Sequence, residues 1–295
     1  PENDGTRITK DNGLLSPIIG NLTNLNFFVW NSSTYSDSLL YSHSSKKTPG
    51  VSNLRYINTT TTAIKDSNKC YNAKAVTSDD YGYIDMHRVL SQFPNITYIE
   101  RSFYHDMEFT TAEYQVSDKS ITYCNVFYDN PKLYHIEYSF LGKAKGSMIY
   151  IFGGNAAFDN DTNHFPQKLA KILYSFRFTD NVVYLPIHNE MFRKCKNTLE
   201  YITGYNTQDS YSGTSFLGGN KQYLKETPQE EFCYDIFKGC TKLKHICGLM
   251  YGLNSSTPIN IKLPHTMFED LPNLTMISYL FAYFGSNISY TLTSK

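Results

Sequence analysis

Met191-Phe192-Arg193-Lys194-Cys195, followed by Leu199 and Ile202, decides how this chain is read, because the same phrase returns twice. Ile236-Phe237-Lys238-Gly239-Cys240 is followed by Leu243 and Ile246, and Met267-Phe268-Glu269-Asp270-Leu271 by Leu274 and Ile277. The pattern is an apolar residue, a phenylalanine, two polar residues, a cysteine or apolar residue, then Leu-x-x-Ile. Repetition on this scale points to stacked units, each too small to bury its own apolar face.

Weaker copies carry the phrase towards the N-terminus. Phe93-Pro94-Asn95-Ile96-Thr97-Tyr98-Ile99 runs on to Ser102-Phe103, and Pro131-Lys132-Leu133-Tyr134-His135-Ile136 to Ser139-Phe140. Phe165-Pro166 leads to Leu169, Ile172 and then Ser175-Phe176. Leu25 with Phe28, and Leu54 with Ile57, are the faintest. Aligned on the first apolar residue of Leu-x-x-Ile, the anchors are residues 25, 54, 96, 133, 169, 199, 243 and 274, with steps from 29 to 44 residues. Such uneven steps require loops of varying length between units.

Val183-Tyr184-Leu185-Pro186 precedes one strong copy and Ile261-Lys262-Leu263-Pro264 another. Apolar and polar residues alternate in both, as in a short strand, and proline ends a strand because it has no N–H for the ladder. The Phe-x-x-Cys stretch suits one helical turn that places Phe192 and Cys195 on one buried face. The order apolar-x-Leu-Pro, Met-Phe-x-x-Cys, Leu-x-x-Ile resembles the BspA-like (Treponema-type) bacterial leucine-rich repeat. Residues 183–202 and 236–277 carry the resemblance well, 89–176 partially and 1–60 faintly. It implies an irregular leucine-rich-repeat-like solenoid (α/β), with short parallel strands on one face and helical or irregular turns on the other. It also implies a cell-surface, adhesin or virion protein, bacteriophage included, and it brings no catalytic residues.

The expected organisation is an irregular N-terminal region over 1–65 and the solenoid over 66–295, interrupted by a long polar loop at 206–231. The stretch at 141–164 is a second expected loop. Gly285 to Lys295 alternates as a strand would, and the chain opens on Pro1 rather than Met. Both suggest a section of a larger polypeptide.

Among 295 residues, 27 basic and 27 acidic side chains give no net charge. Nucleic acid is thereby an unsuitable main partner, since phosphate binding needs a positive field. No apolar run approaches the roughly 20 residues that span a bilayer, and no signal peptide is visible. The chain has 25 Tyr and 19 Phe against one Trp. Phenylalanines at repeated places read as core. The tyrosines either serve contact with protein or glycan or follow from a composition rich in Asn, Ser, Thr and Lys.

Catalytic and metal-binding patterns are weak. Cys195 and Cys240 occupy one repeat position, filled by Phe93, Asn130 and Leu271 elsewhere, and read as inward-facing. Cys233, Cys240, Cys247 and His245 lack zinc-loop spacing, so neither metal nor cofactor is expected. Asp159-Asn160-Asp161 begins like a calcium loop but has His164 and Ala170 where glycine and glutamate belong. Gly213 to Gly218 misses the nucleophile-elbow spacing. Phe152-Gly153-Gly154 and Leu217-Gly218-Gly219 read as tight turns.

The outward positions of Leu-x-x-Ile bring up Tyr98, Tyr134, His135, Tyr201 and His245, a candidate contact stripe down one face. The first expectation is therefore a non-enzymatic structural or recognition module of a virion or bacterial cell-surface protein. Its partners would be other proteins of the same assembly, further copies in a homo-oligomer, or a host-surface protein or glycan. The alternative is a tailspike-like glycan-cleaving enzyme with carboxylates such as Asp85, Asp106, Glu108 or Glu190 paired across a groove.

Overall fold

A computed structural model describes residues 27–29, 55–58, 84–85, 90, 93–103, 107–109, 112–116, 119–123, 126–142, 144–146, 151–153, 163–178, 191–204, 236–249, 258–280 and 285–293. Among them, eight strands form one sheet in which spatial order follows chain order. They are β1 (Phe27–Val29), β2 (Tyr56–Asn58), β3 (Tyr98–Glu100), β4 (His135–Glu137), β5 (Lys171–Leu173), β6 (Tyr201–Thr203), β7 (His245–Cys247) and β8 (Met276–Ser278). Every neighbouring pair is parallel, and every pair matches first residue to first residue. This parallel sheet with few helical turns is compatible with a solenoid. It crosses residue 65 without a break, since β2 pairs directly with β3.

The shared register follows from Leu-x-x-Ile. Its isoleucine is the middle residue of each strand from β2 to β8, and Ile57, Ile99, Ile136, Ile172, Ile202 and Ile246 are fully buried in one column. Ile96, Leu133, Leu169, Leu199 and Leu243 form a second, equally buried column. A one-residue slip in any strand would turn its isoleucine outward, so burial fixes the pairing. Backbone bonds extend the ladder on both sides of the short strands. The Thr97 carbonyl accepts from Tyr134 and His135, that of Tyr134 from Ala170 and Lys171, that of Ala170 from Glu200 and Tyr201, and that of Glu200 from Lys244 and His245.

The turn before each leucine is the expected one. Cys195 N–H donates to Phe192 O at 3.0 Å, Cys240 N–H to Phe237 O at 2.9 Å and Asn130 N–H to Phe127 O at 3.3 Å. Helical structure among the described residues is confined to short 3-10 turns, Arg193–Cys195 and His265–Phe268. Phe127, Phe152, Phe192, Phe237 and Phe268 stack in series at ring separations from 5.3 to 6.2 Å. Such pairs add roughly 0.5–1.5 kcal/mol beyond their burial.

In the fifth unit Phe152 holds the phenylalanine place in the stack, and Phe165 stands four residues before Leu169, where Cys195 stands before Leu199. The phrase is split by an insertion between Gly153 and Phe165. Gly153 has φ +77°, and a Cβ there would lie 2.5 Å from Phe165 Cγ, so this turn does need glycine. Its expected counterpart at 217–219 lies outside the described residues. Short strands Leu141–Gly142 and Ala144–Gly146 occupy part of the expected 141–164 loop.

After the strands the chain bends sharply. Arg101, Tyr138 and Tyr174 have φ of 47°, 45° and 52°, and two residues later Phe103, Phe140 and Phe176 have 63°, 58° and 57°. The left-handed region costs a non-glycine residue about 1–2 kcal/mol. Buried Ser102, Ser139 and Ser175 hold the bend between them: each hydroxyl donates to the carbonyl two residues back at 2.8 Å. The oxygens of Ser139 and Ser175 also accept the N–H of Ser102 and Ser139, at 3.2 and 3.1 Å. Phe103, Phe140 and Phe176 stack beside them at 4.8 and 4.7 Å.

Strand Ile259–Pro264 contains the expected Ile261–Pro264 element and pairs in parallel with Ile288–Thr293, also expected as a strand. Val183–Pro186 and the 206–231 loop lie outside the described residues. A three-stranded parallel sheet joins Ile84–Asp85, Met107–Phe109 and Ala144–Gly146, and Ala112–Val116 pairs antiparallel with Lys119–Tyr123.

Ile172→Ala is expected to destabilise the fold by about 2–5 kcal/mol in urea unfolding. Gly153→Ala should destabilise it by more than about 1 kcal/mol, because the new methyl meets Phe165 at a left-handed residue.

Candidate functional site

The ladder puts the residue before each strand's central isoleucine into one outward column. Register makes it Tyr56, Tyr98, His135, Lys171, Tyr201, His245 and Met276. Tyr98, His135, Tyr201 and His245 of the expected stripe therefore do share a column. Tyr134 belongs to the neighbouring column with Thr97, Ala170, Glu200, Lys244 and Thr275, and is 45% exposed. Tyr56, Lys171 and Met276 complete the first column. Counting two residues on from anchors 54, 169 and 274 finds them; Tyr56 repeats the tyrosine of Tyr98 and Tyr201, whereas Lys171 and Met276 share no side-chain chemistry with the rest.

Neighbours along the stripe touch. Tyr98 and His135 stack at 4.4 Å with planes 8° apart, and Tyr56 meets Tyr98 edge-on at 5.2 Å. The Tyr98 hydroxyl donates to Glu137 Oε2 at 2.7 Å, and Tyr56 makes the same diagonal bond to Glu100. Further along, Tyr201 takes Lys171 Nζ at 5.6 Å and Lys244 Nζ at 5.8 Å over its ring, while Lys244 also pairs with Glu200 at 2.8 Å. The Lys171 contact contributes about 0.5–1 kcal/mol at such a site.

This packing sets the protonation of the stripe. Burial, then the Glu137 hydrogen bond, push the Tyr98 hydroxyl well above the usual phenol range. Burial lowers His135 to about 4, with Lys171 adding to the effect and Glu100 opposing it. His245 is also lowered by burial. Both imidazoles are thus neutral near pH 7. Each has a buried Nε2 without a hydrogen-bond partner among the described residues; for His135, the Glu137 carboxylate lies 3.4 Å away but out of alignment.

Other sequence candidates resolve differently. Cys195 and Cys240 are free and fully buried, with thiols pushed up by desolvation, Cys240 to about 12. Unreactive core residues behave this way. Asn130 fills the same inner position and donates to the carbonyls of Leu90 and Phe93, both at 2.9 Å. Among the described residues no three His, Cys, Asp or Glu side chains converge as a metal site would need. Asp85 and Glu108 are register neighbours on one small sheet, with Lys145 next to Glu108. Asp106 and Glu190, the 159–162 segment, the 213–218 segment and Cys233 lie outside the described residues.

No helix among the described residues is long and apolar enough to cross a membrane. No family model matches the chain, and neither a curated protein nor a solved structure matches it.

The sign of the pH effect follows from His135. Its folded value, about 4, lies below the ordinary 6.5, so the unfolded chain binds more protons between them. Its contribution is complete above about pH 6.5 and is lost progressively as pH falls towards 4. NMR titration should show the His135 ring changing near pH 4, and His135→Gln should flatten the loss of stability in that window.

Proposed function

We propose that this chain is a non-enzymatic recognition or structural module built as a leucine-rich-repeat-like solenoid of the BspA-like kind. It belongs, on this reading, to a virion or a bacterial surface protein, where its ladder face meets a neighbouring protein. The observation that carries the reading is the outward column running from Tyr56 to Met276 in one register. A stripe set by main-chain pairing is rigid, and a rigid aromatic face binds with little conformational entropy lost.

The state of the rings favours protein over glycan as the partner. A sugar ring would stack on an open aromatic face. Tyr98 spends a face on His135, and lysines lie over Tyr201. What remains for a partner is the exposed Tyr134, the carboxylates of Glu100, Glu137 and Glu200, and the lysine ammonium groups. Mixed polar and aromatic surface of that kind suits a protein interface.

The test is mass spectrometry of purified virions and of cell-surface fractions for the parent protein. Stoichiometric recovery in either is expected. Recovery only from the cytosol, as a monomer that captures no protein partner, would contradict the reading. With a captured partner in hand, Tyr134→Ala combined with Lys244→Ala should weaken binding at least tenfold without unfolding the chain, since both side chains sit on the solvent side of the ladder.

A further inference from the structure

Charge is unevenly placed among the turns. The chain carries no net charge. Yet the turns ahead of β4, β5, β6 and β7, residues 127–133, 163–169, 192–199 and 237–243, hold seven lysines and arginines against one carboxylate, Asp129. That carboxylate faces His164 at 3.7 Å. The following turn, residues 268–274, reverses the sign, with Glu269 and Asp270 and no cation. Four consecutive turns therefore make one basic face with a defined edge.

The stack orders these charges. One residue before each buried leucine, Lys132, Lys168, Thr198 and Lys242 form a row, with Asn95 and Asn273 at its ends. Bonds between turns hold the row: Lys132 Nζ donates to Asn95 Oδ1 at 2.5 Å, the Thr198 hydroxyl to the Gln167 and Leu169 carbonyls at 3.0 Å, and the Asn273 amide to the Thr241 carbonyl at 2.6 Å. Beside the row, two lysine stems from the turn ahead of β6 lie against glycines of the neighbouring turns. A Cβ on Gly153 would meet Lys194 Cγ at 2.9 Å, and one on Gly239 would meet Lys196 Cδ at 3.2 Å. Lys168 and Lys242 are exposed and Lys196 is half-buried, and none of the three makes an ion pair among the described residues. No large apolar side chain is exposed in these four turns.

We propose that this basic turn face is a docking surface for the acidic side of a helix on a neighbouring protein. Sign calls for carboxylates, and spacing calls for a helix. Lys132 and Lys168 are one rung apart, and Lys168 and Lys242 two rungs, which is about 5 and 10 Å at the usual strand separation. Carboxylates set once per turn of an α-helix recur every 5–6 Å or so. A helix laid along the stack thus offers one carboxylate per rung, within reach of flexible lysine stems. Lipid and nucleic acid fit less well. With no exposed apolar side chain the face has nothing to insert into a bilayer, and a chain without net charge lacks the long-range field that gathers a phosphate backbone. The face lies on the turns, not on the strands that carry Tyr98 and His135, so it stands whether or not the strand face meets a partner.

Fluorescence anisotropy with the 295-residue chain tests the proposal. The probe is a labelled alanine-based helical peptide with one glutamate per turn along one side. Binding is expected, and it should weaken as salt rises, because exposed pairs are screened. Lys168→Gln combined with Lys242→Gln should weaken it about fivefold or more. Ser286→Asp combined with Thr291→Glu changes the net charge equally at exposed places away from the turns, and should leave binding within about twofold of the parent. Circular dichroism of each variant separates lost docking from lost folding. A peptide of the same composition with its glutamates spread around the helix should bind more weakly. Absence of binding would overturn the proposal, and so would equal weakening by the two double substitutions. Tighter binding to vesicles of anionic lipid or to duplex DNA than to the peptide would assign the face to phosphate and overturn it as well.

Discussion

A strand of three residues cannot stand alone, and everything else in this protein follows from how it is held. Each strand satisfies its N–H and carbonyl groups only through the strands on either side, so the ladder exists as a whole or not at all. The isoleucine at each centre makes the pairing unique. Buried side chains at positions 57, 99, 136, 172, 202 and 246 leave no second register that keeps them from water. Main-chain bonds supply the continuity and apolar burial supplies the alignment. The outward column is a by-product of both: once the isoleucines point in, the residue before each must line up on the other side.

The same constraint explains why the units tolerate unequal lengths. The fixed parts are the turn ahead of Leu-x-x-Ile and the bend after it. Consecutive bends at Arg101, Tyr138 and Tyr174 place ordinary residues in the left-handed region, at a cost that the serine hydroxyls and stacked phenylalanines offset. In β7 the corresponding corner is Gly248, with φ 64°, where no such offset is needed. Chain between the fixed parts is free to vary. The split phrase from Phe152 to Phe165 is the clearest case, an insertion placed inside the turn itself with Gly153 making room for it.

Much of this was legible in the sequence, and the failures have physical causes. Leu-x-x-Ile is readable because burial repeats at fixed spacing, and its eight anchors correspond to the eight strands of the sheet. Phe152 was not found as the phenylalanine of its unit because the insertion separates it from Leu169, and only the ring stack shows its place. Four of the five expected stripe residues share a column. Tyr134 does not, since two residues separate the buried leucine and isoleucine and only the second of them begins the strand. The tyrosine–glutamate diagonals, and the lysines over Tyr201, join residues 30 to 44 positions apart, and nothing local announces them. The low proton affinity of His135 likewise needs its stack on Tyr98 and its distance from Lys171, both set by register.

The central claim is that one uninterrupted hydrogen-bonded ladder runs the length of the chain. Native-state hydrogen exchange of the backbone amides tests it most directly. The amides of His135, Lys171, Tyr201, His245 and Met276 each donate to the preceding unit. They should exchange slowly, as one cooperative block, with protection falling off at Met276. Fast exchange at Lys171 or Tyr201, with slow exchange on either side, would mean that the ladder is broken in the middle, and the account would be wrong.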